Sequence, residues 1–271
     1  KENLGQQHST ATKGILGIAA DYSQKDKTKV DVPHRASHLR SLRDMLGELP
    51  AAQEEVKNLS TLFNGNFWMG ATANESNFKA QVADYKIVHL AMHGLLNTRS
   101  PILSSLAFTE NGDPIEDNFL EAWEIAHLKL NAELVVLSAC ETGYGKFQQG
   151  EGVMSLARSF MYAGAPALVV SLWQVNDAST SIIMQDFYQN LTKGLDKAEA
   201  LRQAKLSYIK KVDGIAAHPA FWGPFIQLGD SRPIQIATKA SGWSWYWIGL
   251  GLAVIAALGG AAMALRKKEV A

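Results

Sequence analysis

The sequence predicts an α/β fold with a mostly parallel central sheet, followed by one apolar helix near the carboxyl end. Three observations predict it. Apolar runs such as Ile87-Val88-His89-Leu90-Ala91-Met92, Leu134-Val135-Val136-Leu137 and Ala167-Leu168-Val169-Val170-Ser171-Leu172 read as strands buried on both faces. Segments with helical spacing of apolar residues separate these runs, and such alternation gives a parallel sheet covered on both sides. Residues 241–265 carry no charge at all.

Taken in order, residues 1–13 are polar and aperiodic and read as a linker. Gly14 to Ala20 is the first strand, with Asp21 at its carboxyl end. Residues 23–34 read as a solvated loop. Pro50 suits a first helical turn, and Val56, Leu59, Leu62 and Phe63 then recur on one helical face. Phe67-Trp68-Met69 is a short strand. Thr72 to Glu75 has the capping-box pattern for a helix through Val82. After the strand ending at His93, Ser105 to Phe108 and the turn at Asn111-Gly112 predict a hairpin at the edge of the molecule. Leu120 to Leu128 is helical in pattern and leads into the strand before Cys140. Val153, Leu156, Ala157 and Phe160 form a helical face, and Asn176 or Asp177 is placed to cap the helix carrying Ile182, Ile183 and Phe187. Ala198, Leu201 and Tyr208 mark another helix, and Phe225-Ile226-Gln227-Leu228 a late strand.

The 271 residues carry 26 basic and 26 acidic side chains, so no basic field for nucleic acid is indicated. A single cysteine excludes an internal disulfide framework and fits a reducing compartment. The chain begins at Lys1 and reads as the carboxyl-terminal part of something longer, or as a processed product. Residues 231–242 read as a linker. Residues 243–265 begin with Trp243, Trp245, Tyr246 and Trp247 and are followed by Arg266-Lys267-Lys268 in the basic tail 266–271. That length, the aromatic start and the basic end predict a single-pass transmembrane helix. A cytoplasmic placement of the preceding domain is expected, because thiol chemistry persists where thiols stay reduced.

Two residues stand out chemically. Cys140 follows one core strand and His93 ends another, 47 positions earlier. Reactive groups lie just beyond the carboxyl ends of strands in open parallel sheets. A thiol beside an imidazole satisfies the nucleophile-plus-base requirement, and the imidazole favours the thiolate that attacks. His89 and His93 stand four apart like zinc-protease histidines, but Leu90 follows His89 and the segment is a strand, so no metal is expected. The glycines between 143 and 152 lack the Gly-Lys-Ser/Thr of a phosphate loop, and no cofactor is expected. Glu141 is expected to hold its own loop. Trp173 either lines a substrate groove or packs in the core. Asp21 either caps its loop or pairs with a basic substrate side chain.

Residues 87–94, the motif Leu-Ser-Ala-Cys-Glu-Thr-Gly at 137–143, Gly-Glu-Gly at 150–152, Ser171-Leu172-Trp173, Ala163-Gly164-Ala165 and the run His218 to Phe225 closely resemble the CHAT family. That family belongs with the caspase-like cysteine peptidases, in the clan of separase. The resemblance covers roughly residues 14–230 and implies a caspase-like three-layer sandwich. It implies Cys140 as nucleophile, His93 as base, and the backbone N–H groups of Gly94 and Cys140 as oxyanion hole. The spacing of His93 and Cys140 is close to the ~50 residues seen in caspases. Ser138 and Glu141 depart from the caspase motif, so aspartate specificity is not implied. Family members often follow tetratricopeptide-type repeats, a regulatory region that would lie upstream of Lys1. The expected function is a membrane-anchored cysteine endopeptidase acting on protein or peptide substrates. The alternatives are a catalytically inactive binding module of the same fold and another thiol enzyme, such as an acyltransferase.

Overall fold

A computed structural model describes residues 10–23, 41–97, 99–138, 140–141, 151–173 and 177–239, with the backbone alone described at 140, 141, 151–153 and 177. The chain divides into two compact units, Lys1–Ala237 and Thr238–Ala271. The expected transmembrane segment 243–265 and the basic tail lie outside the described residues, as do Asn176 and most of the 143–152 glycine segment. Among the described residues no helix is long and apolar enough to cross a membrane.

The main sheet has the order β10-β9-β7-β3-β1-β2. Its strands are β1 (Lys13–Ala19), β2 (Gly65–Met69), β3 (Tyr85–Ala91), β7 (Leu134–Leu137), β9 (Ala167–Ser171) and β10 (Phe225–Gly229). Five strands run parallel, and only β10 pairs antiparallel, with β9. The central strands are buried along nearly their whole length, which is why they read as continuous apolar runs.

Alternate strand residues feed two cores. One face packs Ile15, Ile87, Val136 and Val169 against helices α1 (Pro50–Leu62), α5 (Asp177–Thr192) and α6 (Lys197–Lys211). The other packs Leu16, Val88, Val135 and Leu168 against α2 (Glu75–Gln81), α3 (Ala122–His127) and α4 (Glu151–Tyr162). The result is three layers, helix–sheet–helix, as the alternation of strands and helices predicts.

Pro50 opens α1, where its missing N–H costs no hydrogen bond. The cap of α2 is Asn74, whose side chain accepts from the N–H of Asn77, and not Thr72. Thr72 ends a 3₁₀ turn, Gly70–Thr72, that occupies the place where the sequence suggested the helix start. Residues 105–107 and 119–121 do pair antiparallel, but through the connection 108–118 rather than a tight turn at Asn111-Gly112, and inside a second sheet of order β6-β5-β4-β8. Here β5 (Ser105–Ala107) pairs antiparallel with both β6 (Phe119–Glu121) and β4 (His93–Leu95), and β4 pairs parallel with β8 (Cys140–Glu141). The small sheet grows from the carboxyl edge of the large one.

Candidate active site

β3 and β7 are neighbours in the main sheet, with Leu90 opposite Leu137. The Ser138 N–H continues the ladder to the carbonyl of Leu90 at 2.9 Å. Both chains then leave the main sheet and pair again, as β4 and β8. In that second pairing His93 stands opposite Cys140 and Gly94 opposite Glu141. Neighbouring strands lie about 4.8 Å apart, so the backbones of His93 and Cys140 are brought side by side rather than merely to one edge.

His93 is held on several sides. It is 4% exposed. Its main-chain N–H donates to the Tyr22 hydroxyl at 2.9 Å, and that hydroxyl donates to the carbonyl of Ala107 at 2.7 Å. The two rings pack against each other with centroids 4.7 Å apart and planes tilted by 50°. Burial raises the Tyr22 phenol well above its ordinary range, so it stays neutral and keeps its donor. The imidazole Nε2 lies 2.7 Å from the carbonyl oxygen of Gly47. A carbonyl only accepts, so Nε2 carries the proton and the ring's lone pair sits on Nδ1.

Gly47 lies in the segment that leads into α1. Arg43 fastens that segment by donating to the carbonyls of Phe108 (2.9 Å) and Asn118 (3.3 Å) while its guanidinium covers the Phe119 ring at 4.5 Å. Neither Gly47 nor Tyr22 stands out in the sequence. Their roles depend on tertiary contacts with His93 from 46 and 71 positions away.

The other candidates fall around this edge. Gly94 is buried and paired with Leu106 as well as Glu141. Asp21 lies two residues beyond the Ala19–Ala91 pair of β1 and β3, as His93 does on its own strand, so both stand at one level of the sheet edge. Its Oδ1 accepts from the Ser23 N–H at 2.9 Å, and its own N–H donates to the Thr109 hydroxyl at 2.8 Å. Asp21 therefore does cap its loop. Trp173, two residues past β9, is partly exposed and donates from Nε1 to the carbonyl of Ala220 at 3.2 Å. Gly223 permits this closeness: a Cβ there would meet the Pro219 carbonyl at 2.6 Å and the Trp173 ring at 3.4 Å.

His89 is fully buried inside β3, and its ring contacts Tyr188 and Glu55. A charged residue on the apolar face of α1 was a readable signal, since Glu55 lies one turn before Leu59. Among the described residues, the acidic group close enough to share a metal ion is Glu75, Glu116 and Glu124. The Lys79 ammonium sits among them at 2.7, 2.6 and 2.9 Å and supplies the positive charge itself. Burial raises Glu75 to about 7, against the opposing pull of Lys79.

Tetratricopeptide repeat protein 28 of Homo sapiens is 28% identical over 233 residues, covering 74% of this chain and 9% of that protein. The Mus musculus protein of the same name is 26% identical over 238 residues, again covering 74% and 9%. The chain thus spans about a tenth of the length of these curated relatives. The crystal structure of the Arg-specific cysteine proteinase gingipain R is similar at 11% identity and a TM-score of 0.47, covering 82% of this chain and 46% of that one. The CHAT domain family model matches residues 6–230, and on that match the chain belongs to the CHAT domain family.

Proposed function

We propose that this chain is a cysteine endopeptidase in which Cys140 is the nucleophile and His93 the base. The observation that carries the reading is the register of the small sheet, which sets His93 opposite Cys140. The Gly47 carbonyl supports it further, because a proton held on Nε2 leaves Nδ1 to take the thiol proton. The thiolate attacks the scissile carbonyl, and the new C–S bond forms as the carbonyl electrons move to oxygen. The backbone N–H groups of Gly94 and Cys140 are the proposed donors to that oxyanion. His93, now protonated, returns its proton to the leaving amine, and water then hydrolyses the acyl-thioester.

Asp21, beyond β1, is proposed to receive an arginine or lysine side chain of the substrate, and Trp173, beyond β9, to line the substrate groove. One carboxylate oxygen of Asp21 is engaged by Ser23, and the second is proposed to make a charge-assisted contact with the substrate cation. Residues 243–265 are proposed as a single-pass membrane anchor, on their apolar length and aromatic start, with the peptidase on the cytoplasmic side. Any repeat region upstream would act as a regulator.

The test is cleavage of a fluorogenic peptide library by the wild type and Cys140→Ala. Loss of all cleavage in the variant supports the reading. Equal cleavage by both, or a product other than free acid and amine, contradicts it.

A further inference from the structure

A chain of four buried side chains runs beneath the two strand ends. The Tyr188 hydroxyl lies 3.0 Å from Nδ1 of His89. Nε2 of His89 faces Oε1 of Glu55 at 3.1 Å, off the angle of a hydrogen bond but in close electrostatic contact. The Ser138 hydroxyl donates to Oε2 of Glu55 at 3.0 Å. None of the four is more than 7% exposed.

Burial of a carboxylate is expensive even where it accepts a hydrogen bond, and apolar groups of equal volume are often at least as stable. Stability alone is therefore a poor account of this arrangement. What it connects is more telling. Ser138 lies two residues before Cys140, at the exit of β7. His89 lies four residues before His93, inside β3. Glu55 lies on α1, and the segment entering α1 supplies the Gly47 carbonyl to His93. One carboxylate thus joins the three elements that bring His93, Cys140 and Gly47 together. Tyr188 completes the set from α5. Burial keeps its phenol neutral, so it can donate to Nδ1 of His89; that tautomer places the His89 proton on Nε2, the nitrogen nearer Glu55.

We propose that Glu55, His89 and Ser138 are positioning residues: they hold the exits of β3 and β7 and the start of α1 in a single register, so that the thiol of Cys140 meets Nδ1 of His93. None of them touches the reacting atoms. The proposal rests on the cysteine-peptidase reading above, and its test must separate the two.

Cys140 is the only cysteine in the chain, so alkylation by iodoacetamide reports on that thiol alone. The rate is followed by intact mass as a function of pH, on the full chain. The variants are Glu55→Gln, which keeps the shape, and Ser138→Ala, which is the milder change should the first fail to fold. Val82→Ala, buried in the core on the opposite face of the sheet and at the amino end of β3, serves as a purely destabilising control. In the wild type the imidazole is expected to bring the alkylation midpoint below that of a free thiol. Both network variants are expected to move it upward and to lower kcat on a fluorogenic peptide by about 10²-fold, the effect of a misplacement of about 1 Å, with KM little changed. Val82→Ala is expected to lower the melting temperature and leave the midpoint where it is. A wild-type midpoint equal to that of a free thiol overturns the Cys140–His93 reading itself. A lowered wild-type midpoint that Glu55→Gln and Ser138→Ala leave unmoved overturns the positioning proposal alone.

Discussion

Nε2 of His93 lies 2.7 Å from the carbonyl oxygen of Gly47, and this contact decides which nitrogen can act as a base. In neutral His93 the proton is fixed on Nε2 and Nδ1 is left as acceptor. Nitrogen-15 NMR of histidine-labelled protein checks this. The Nε2–H tautomer is expected at neutral pH, and the Nδ1–H tautomer would contradict the assignment. His93→Ala is expected to slow peptide cleavage by at least ~10²-fold, the lower end of what general acid–base catalysis contributes.

Tyr22 joins His93 to Ala107 through one hydroxyl that accepts from the first and donates to the second. Tyr22→Phe leaves the buried N–H of His93 and the carbonyl of Ala107 without that partner. The expected cost is about 1–3 kcal/mol, read from urea unfolding. A change below ~0.5 kcal/mol, the range of ordinary surface substitutions, would show that the bridge carries no weight.

The cluster around Lys79 sets a pH dependence of stability. Desolvation raises Glu75 to about 7, with Lys79 opposing. Folded Glu75 therefore holds its proton at pH values where the unfolded carboxyl has lost it. Between the ordinary carboxyl range and about pH 7 the folded state binds more protons, so this group's contribution to stability falls as pH rises through that window. Urea midpoints at about pH 5 and about pH 8 are expected to differ less in Glu75→Gln than in the wild type. An equal or larger difference in the variant would contradict this reading of the cluster.

Asp21 makes a prediction about specificity. A peptide library is expected to show cleavage after Arg or Lys, and Asp21→Ala is expected to weaken that preference by 10-fold or more, about 1.4 kcal/mol or more. Because Oδ1 also accepts from Ser23, Asp21→Asn, which keeps a cap oxygen, separates the loop effect from the charge effect. No basic preference in the wild type, or an unaltered one in Asp21→Ala, removes the role.

Much of the architecture was legible because β3, β7 and β9 are buried on both faces and so leave unbroken apolar runs in the sequence. That His93 and Cys140 lie at strand ends was legible for the same reason. Their direct pairing was not. It depends on both chains leaving the main sheet and pairing again in a two-residue strand, too short to leave any periodicity. Gly47 was hidden because a backbone carbonyl has no signature in a sequence. The cap of α2 was misplaced from Asn74 to Thr72 because the pattern that marks a helix start cannot see the 3₁₀ turn before it. Glu55 was the missed clue: a carboxylate on the buried face of α1 needs partners, and it accepts from the Ser138 hydroxyl and lies 3.1 Å from His89.

The most direct test of the central claim is the distance between the Cys140 sulfur and Nδ1 of His93 in an experimentally determined structure of the wild type. The paired register of the two residues predicts hydrogen-bond reach, roughly 3–4 Å for a thiol and somewhat looser without substrate. A well-ordered separation on the order of 10 Å, far beyond what a nucleophile and its base can bridge, would contradict the account.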